Sequence, residues 1–262
     1  MGEEEIVLAG GNVSRVIRIG ETVRRTMGPW SSTVHHLLLH LEGNGFAAAP
    51  RFLGIDSQGR EILSFIAGAV GHYPLPPAFW SDEALTKIAD MLREFHAITT
   101  YYVSPQEAQW QITYADVTRH EVICHNDVAP YNMVFRNNIP VALIDFDTAG
   151  PGPRVWDLAY AAYRFVPLLH SGDDELRSTG LLEPEVQARR LKLFCTTYGS
   201  IEPMSVLLMV EERLQHLCNL IITRAEAGDQ AFQKMLAEEH LVNYQREIAA
   251  LPGQIKNLQP YL

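Results

Sequence analysis

"VICHNDVAPYNMVF", Val122 to Phe135, sets one short polar island between two strongly apolar flanks. Each flank has the length and composition of a short buried strand, over 122–124 and 133–135. Arg136-Asn137-Asn138-Ile139 is good turn chemistry, so 141–144 is expected as a third strand, paired with the second as a hairpin. Asp145 and Asp147 end that hairpin with Phe146 between them. Alternate residues of a strand face the same way, so both carboxylates are expected to face one site. The hairpin also folds Asn132 back toward Asp145. Asp127, Asn132 and Asp145 are therefore expected to converge.

That trio has a definite chemical use. A carboxylate and an amide oxygen suit a hard cation such as Mg2+, which keeps several waters and takes further ligands from a substrate's phosphates. A second carboxylate nearby can accept a proton from a hydroxyl. Phosphoryl transfer needs this inventory, because it depends on positioning and on neutralising phosphate charge more than on covalent help.

Around the island the chain changes character once. Residues 6–8, 13–19 and a run through Val23 read as strands, broken by Gly10-Gly11-Asn12 and Gly20-Glu21. A helix follows, with Ser31 or Ser32 as its N-cap and Val34, Leu37, Leu38 and Leu41 on one face. A hairpin turning at Asp56 to Gly59 completes five strands and one helix. "AGAVGHYPLPPAFW", with Pro74, Pro76 and Pro77, is a connector. It separates an N-terminal lobe, 1–68, from a mostly helical lobe, 69–262. There Ser81 caps a helix with Leu85, Ile88, Leu92 and Phe95 on one face, and amphipathic stretches fill 183–250.

The bulk numbers narrow the class. The chain has 262 residues, of which 47 % are apolar and 20 % charged, ample for a buried core. Its formal net charge of −10 argues against attraction to nucleic acid or an anionic membrane and favours a cationic small molecule. Three widely spaced cysteines, Cys124, Cys195 and Cys218, form no C-x-x-C pair, so small buried residues in a reducing, cytoplasmic setting are expected. No signal peptide, myristoylation pattern or membrane-length apolar run is legible.

"HNDVAPYN" followed by "LIDFD" resembles the catalytic and metal-binding motifs of the aminoglycoside phosphotransferase and choline kinase family. His125-x-Asp127-x-x-x-x-Asn132 matches the H-x-D-x-x-x-x-N pattern residue by residue. The resemblance is sharp from about Ile123 to Tyr160. It implies an α+β, protein-kinase-like fold of two lobes, a small antiparallel sheet with one helix and a larger helical part. It implies an ATP- and Mg2+-dependent enzyme that phosphorylates a hydroxyl of a small molecule. In that reading Asp127 is the catalytic base or the group that orients the hydroxyl, His125 braces its loop, and Asn132 and Asp145 bind Mg2+. Asp157 supports the loop. Gly10, Gly11 and Ser14 lie in the loop over the phosphates, and backbone groups of Ser64 and Ile66 meet the adenine.

The N-terminal lobe departs from the pattern. No lysine precedes Lys87, so Arg25, or else Arg24, stands where the family has its strand-three lysine. The following helix carries Val34, His35 and His36 where a glutamate partner is usual. This departure motivates an alternative, a kinase-like pseudoenzyme that binds nucleotide or a partner without turnover. A choline- or homoserine-type metabolite kinase is a further alternative. Asp147 is open between a second metal contact and a surface carboxylate. His35, His36 and His40 are read as ordinary helix residues rather than a metal site.

Overall fold

In the computed structural model residues 5–8, 16–169, 174–199 and 201–262 are described. The chain forms two compact units, one ending at Asp157 and the other beginning at Leu158. The first holds both the strands of the anticipated nucleotide lobe and the loop around Asp127.

That unit opens with β1 (Glu5–Leu8), β2 (Val16–Ile19) and β3 (Thr22–Thr26). Helix α1 (Ser31–Gly43) follows, then β4 (Phe52–Ile55) and β5 (Arg60–Ser64). All pairings are antiparallel, and the sheet order is β1-β2-β3-β5-β4. The expected five strands and one helix are present. The order has one consequence for the site: β5 returns beside β3, so Arg25 lies directly opposite Glu61. Asp56 shapes the β4–β5 turn by accepting the amides of Gln58 and Arg60, each at 2.9 Å.

Helix α1 buries Val34, Leu37, Leu38 and Leu41 as their spacing predicts. Its N-terminus differs from expectation. The N-cap is Trp30, in helical backbone geometry, and Ser31 lies inside the helix. The Ser31 hydroxyl accepts the Gly28 amide at 2.9 Å instead of capping an amide further along. By contrast, Ser81 caps α2 (Asp82–Thr99), its Oγ accepting the Ala84 amide at 3.1 Å. Leu85, Ile88, Leu92 and Phe95 of α2 are all buried.

Between these helices β6 (Ala69–Val70) leaves the connector and pairs with a strand further along, β8 (Met133–Arg136). The polar island lies between β7 (Val122–Cys124) and β8 (Met133–Arg136), and β8 turns into β9 (Ile139–Leu143). Asn137 and Asn138 both have positive φ, 52° and 65°. Two successive left-handed residues are what a tight two-residue hairpin turn needs, and asparagine tolerates that geometry. β10 (Gly150–Gly152) then pairs with β7.

Helix α3 (Arg154–Phe165) leads out of the first unit. The second contains α4 (Asp174–Ser178), α5 (Pro184–Gly199), α6 (Pro203–Glu226), α7 (Gln230–Ala237) and α8 (His240–Leu258). Its interior is tied by Tyr163, whose hydroxyl donates to Glu247 at 2.5 Å, and by Arg190, which donates to the Phe165 carbonyl at 3.0 Å. Among the described residues no single helix is long and apolar enough to cross a membrane.

Candidate active site

The loop that carries Asp127 is fastened from below. The carboxylate of Asp157, fully buried on α3, accepts the His125 amide on one oxygen and the Asn126 amide on the other, both at 2.8 Å. His96 of α2 lies 3.1 Å from the same carboxylate. Burial opposes the charge on Asp157, but the His96 hydrogen bond, neighbouring histidines and the His125 amide outweigh it and lower its pKa. Asn126 takes φ 66°, donates to the Thr148 carbonyl and accepts from the Trp156 indole. His125 is wholly buried, with its Nε2 3.1 Å from the Ile144 carbonyl and its ring edge-on to Phe146. Burial lowers its pKa, with Asp157, Asp127 and Asp145 working against the shift. These contacts fix the backbone and ring of His125 directly before Asp127.

Above this base, two donors grip the Asp127 carboxylate. Tyr131 donates its hydroxyl to Oδ1 at 2.7 Å, and Asn132 donates its Nδ2 to Oδ2 at 2.8 Å. With its nitrogen engaged there, Asn132 has its amide oxygen to offer a cation. The Ile144 amide donates to the Asn132 carbonyl at 2.8 Å, which brings Asp145 beside this loop.

Asp145 does not reach the site by strand alternation. β9 ends at Leu143, Asp145 takes φ 63°, and a single 3-10 turn follows over Phe146–Thr148. The left-handed residue redirects the chain, so that Asp145 and Asp147 converge from a kink. Both meet Arg25, whose Nη1 donates to Asp145 at 2.9 Å and whose Nη2 donates to Asp147 at 2.7 Å. Asp147 is therefore neither a bare surface carboxylate nor spare. Burial raises its pKa, helped by Asp145 and Glu61 and opposed by Arg25.

Arg25 and Arg24 separate cleanly. Arg24 turns to Thr22 and Asp56. Arg25 is buried, with its Nε on Glu61 Oε1 at 2.7 Å and its terminal nitrogens on Asp145 and Asp147. Burial opposes its charge, but Asp147, Asp145 and Glu61 outweigh that and raise its pKa above the ordinary value. Glu61 was not singled out in the sequence, yet Glu61 and Leu63 are the two buried residues of β5. A carboxylate sharing a buried face with Leu63 requires a cation, and that was the available signal. Tyr131 was likewise missed.

The remaining expected residues are more dispersed. The Ser64 amide donates to the Arg51 carbonyl at 2.9 Å, so that N–H is committed within the sheet. Ile66 is half-buried just beyond β5. Gly10, Gly11 and Ser14 lie outside the described residues. The three histidines of α1 diverge, His35 to Glu61, His36 to Tyr102 and His40 to the Ile98 carbonyl. Among the described residues no three His, Cys, Asp or Glu side chains group as a metal centre. An amide oxygen and the half-exposed Asp145 carboxylate nonetheless fit a Mg2+ that draws its other ligands from water and phosphate.

Residues 102–190 match the model of the phosphotransferase enzyme family. A trifolitoxin immunity protein from Rhizobium leguminosarum bv. trifolii is 39 % identical over 200 residues, spanning 75 % of this chain and 74 % of that protein. Among solved structures, a gentamicin complex of APH(2″)-IIa aligns over 95 % of this chain and 91 % of that one, at TM-score 0.58 and 15 % identity. The amicoumacin kinase hAmiN, in complex with AMP-PNP, Ca2+ and Ami, aligns over 90 % and 88 % at TM-score 0.63 and 11 % identity. At such identities the likeness is one of fold: a small antiparallel sheet with one helix, followed by a larger helical part.

Proposed function

The chain belongs to the phosphotransferase enzyme family, and from that premise we propose that it transfers a phosphate from ATP to a hydroxyl of a small molecule. The observation that carries this reading is the doubly held Asp127, beside an amide and a carboxylate able to hold a hard cation. Asp127 orients the acceptor hydroxyl and takes its proton. Tyr131 and Asn132 fix that carboxylate in place, so little reorganisation accompanies transfer. Asn132 Oδ1 and Asp145 would hold Mg2+, which when bound neutralises charge on the phosphates. Residues 1–68 serve as the nucleotide-binding lobe, with Ile66 at the adenine and Arg25 at the phosphates.

The acceptor belongs to the class of toxic small molecules. One relative is named for immunity to a toxin. Fold neighbours are described with gentamicin and with amicoumacin. The net charge of −10 suits a cationic acceptor. The case for a non-catalytic binding protein rested on the missing lysine–glutamate pair, and the Arg25–Glu61 contact weakens it.

The test is ADP release from Mg·ATP across a panel of aminoglycosides, amicoumacin, trifolitoxin, choline and homoserine. We expect turnover with a toxin or antibiotic and its loss in Asp127→Ala, by about a hundredfold or more. A wild-type protein silent toward the whole panel, or an Asp127→Ala variant as active as wild type, sinks the reading.

A further inference from the structure

Five side chains are connected, from a histidine on the helix to the two carboxylates. His35 of α1 lies with its Nε2 2.7 Å from Glu61 Oε2. Its ring stacks on Phe52, with centroids 3.8 Å apart and planes within 12°. Glu61, only 1 % exposed, offers its second oxygen to Arg25 Nε at 2.7 Å. Arg25 then spends its terminal nitrogens on Asp145 and Asp147.

The direction of the guanidinium follows from this order. The group is a rigid planar fork, so fixing the Nε edge fixes where Nη1 and Nη2 point. Glu61 takes that edge, and the two terminal nitrogens are thereby presented together. Such a pair of parallel donors is the arrangement that recognises phosphate in a bidentate way. A lysine could not be aimed like this, because its ammonium has no second edge to hold.

We propose that Glu61 and His35 are positioning residues, which aim the terminal nitrogens of Arg25 at a nucleotide phosphate. The inference rests on the kinase reading above. The glutamate comes from the strand opposite Arg25, and the helix contributes a histidine that orients that glutamate. In the structure the same two nitrogens rest on Asp145 and Asp147. Nucleotide binding exchanges at least one of these contacts for a phosphate oxygen.

The experiment compares wild type with Glu61→Gln, His35→Ala, His35→Gln and Arg25→Lys. It reads the thermal shift caused by Mg·ATP, and KM for ATP separately from kcat. Glu61→Gln keeps a neutral acceptor for Nε but loses the charge that orders the fork. We expect it, His35→Ala and Arg25→Lys to raise KM for ATP roughly tenfold to a hundredfold and to shrink the nucleotide-induced shift. His35→Gln, which keeps a donor toward Glu61, recovers most of the loss. A purely structural ion pair would instead lower the melting temperature and leave KM for ATP unchanged, which overturns the proposal. Should Glu61→Gln not fold, His35→Ala decides, because its contact with the fork runs through Glu61. A wild type that binds Mg·ATP while His35→Ala binds it equally well overturns this inference alone. A wild type that does not bind Mg·ATP overturns the kinase reading and this inference with it.

Discussion

Asp157 and His125 are joined by a 2.8 Å hydrogen bond from the His125 amide to a carboxylate with no exposure to solvent. The other oxygen of Asp157 holds the next amide, so the backbone just before Asp127 is clamped from α3. Asp157→Asn replaces one of those acceptors with a donor. Breaking a buried charge of this kind should cost about 3 kcal/mol. The effect has a pH signature. The pKa of Asp157 is lower folded than unfolded, so its stabilisation is present above the unfolded value and is lost as pH falls through the folded one. The melting-temperature gap between wild type and Asp157→Asn should be widest near neutrality and close below about pH 4. A gap constant with pH would remove the charge from the explanation.

Asp145 is a left-handed residue at φ 63°. Asparagine accepts that geometry, whereas alanine there costs about 1 kcal/mol and valine more. Melting curves should therefore rank Asp145→Asn above Asp145→Ala above Asp145→Val. All three should demand much more Mg2+ for activity, because a charged oxygen is gone. Normal Mg2+ dependence in Asp145→Asn would remove this residue from the metal site.

Tyr131 donates to Asp127 at 2.7 Å and lies one residue before Asn132. Tyr131→Phe keeps the ring and deletes the donor. We expect kcat to fall about tenfold, matching one hydrogen bond to a charged group, with KM for ATP nearly unchanged. Steady-state kinetics at saturating acceptor reads this directly, and an unchanged kcat counts against the role.

Gly150 begins β10 opposite Cys124. A Cβ there would collide with the Ile112 carbonyl oxygen, which is backbone and cannot swing aside. Gly150→Ala should destabilise the protein by about 1–3 kcal/mol through forced backbone movement. Chemical denaturation measures it, and a neutral result would mean that the 112 segment moves freely.

Local signals were legible and register was not. The polar island, its flanking strands, the Asn-Asn turn and the Arg25 substitution could all be read, because each depends on neighbours in sequence. The Arg25–Glu61 pair spans 36 residues and depends on which strands become neighbours, which a single strand pattern does not state. Asp145 was expected on a strand because its flanking residues read as extended. The turn that redirects it is set by contacts with the Asn132 carbonyl and Arg25. Ser31 looked like a cap from composition, but the left-over donor it satisfies belongs to Gly28. Nothing in the sequence distinguishes Tyr131 from other tyrosines, because only the conformation of the loop sets its hydroxyl on Asp127.

The position of Glu61 also bears on control. In protein kinases the glutamate rides on a helix, and moving that helix breaks the ion pair and silences the enzyme. Here the glutamate sits on β5, a strand whose backbone pairs with β3 on one side and β4 on the other. Rotating α1 would withdraw His35 but leave Glu61 facing Arg25. Movement of α1 would therefore alter the aim of Arg25 through His35 without breaking the Arg25–Glu61 pair.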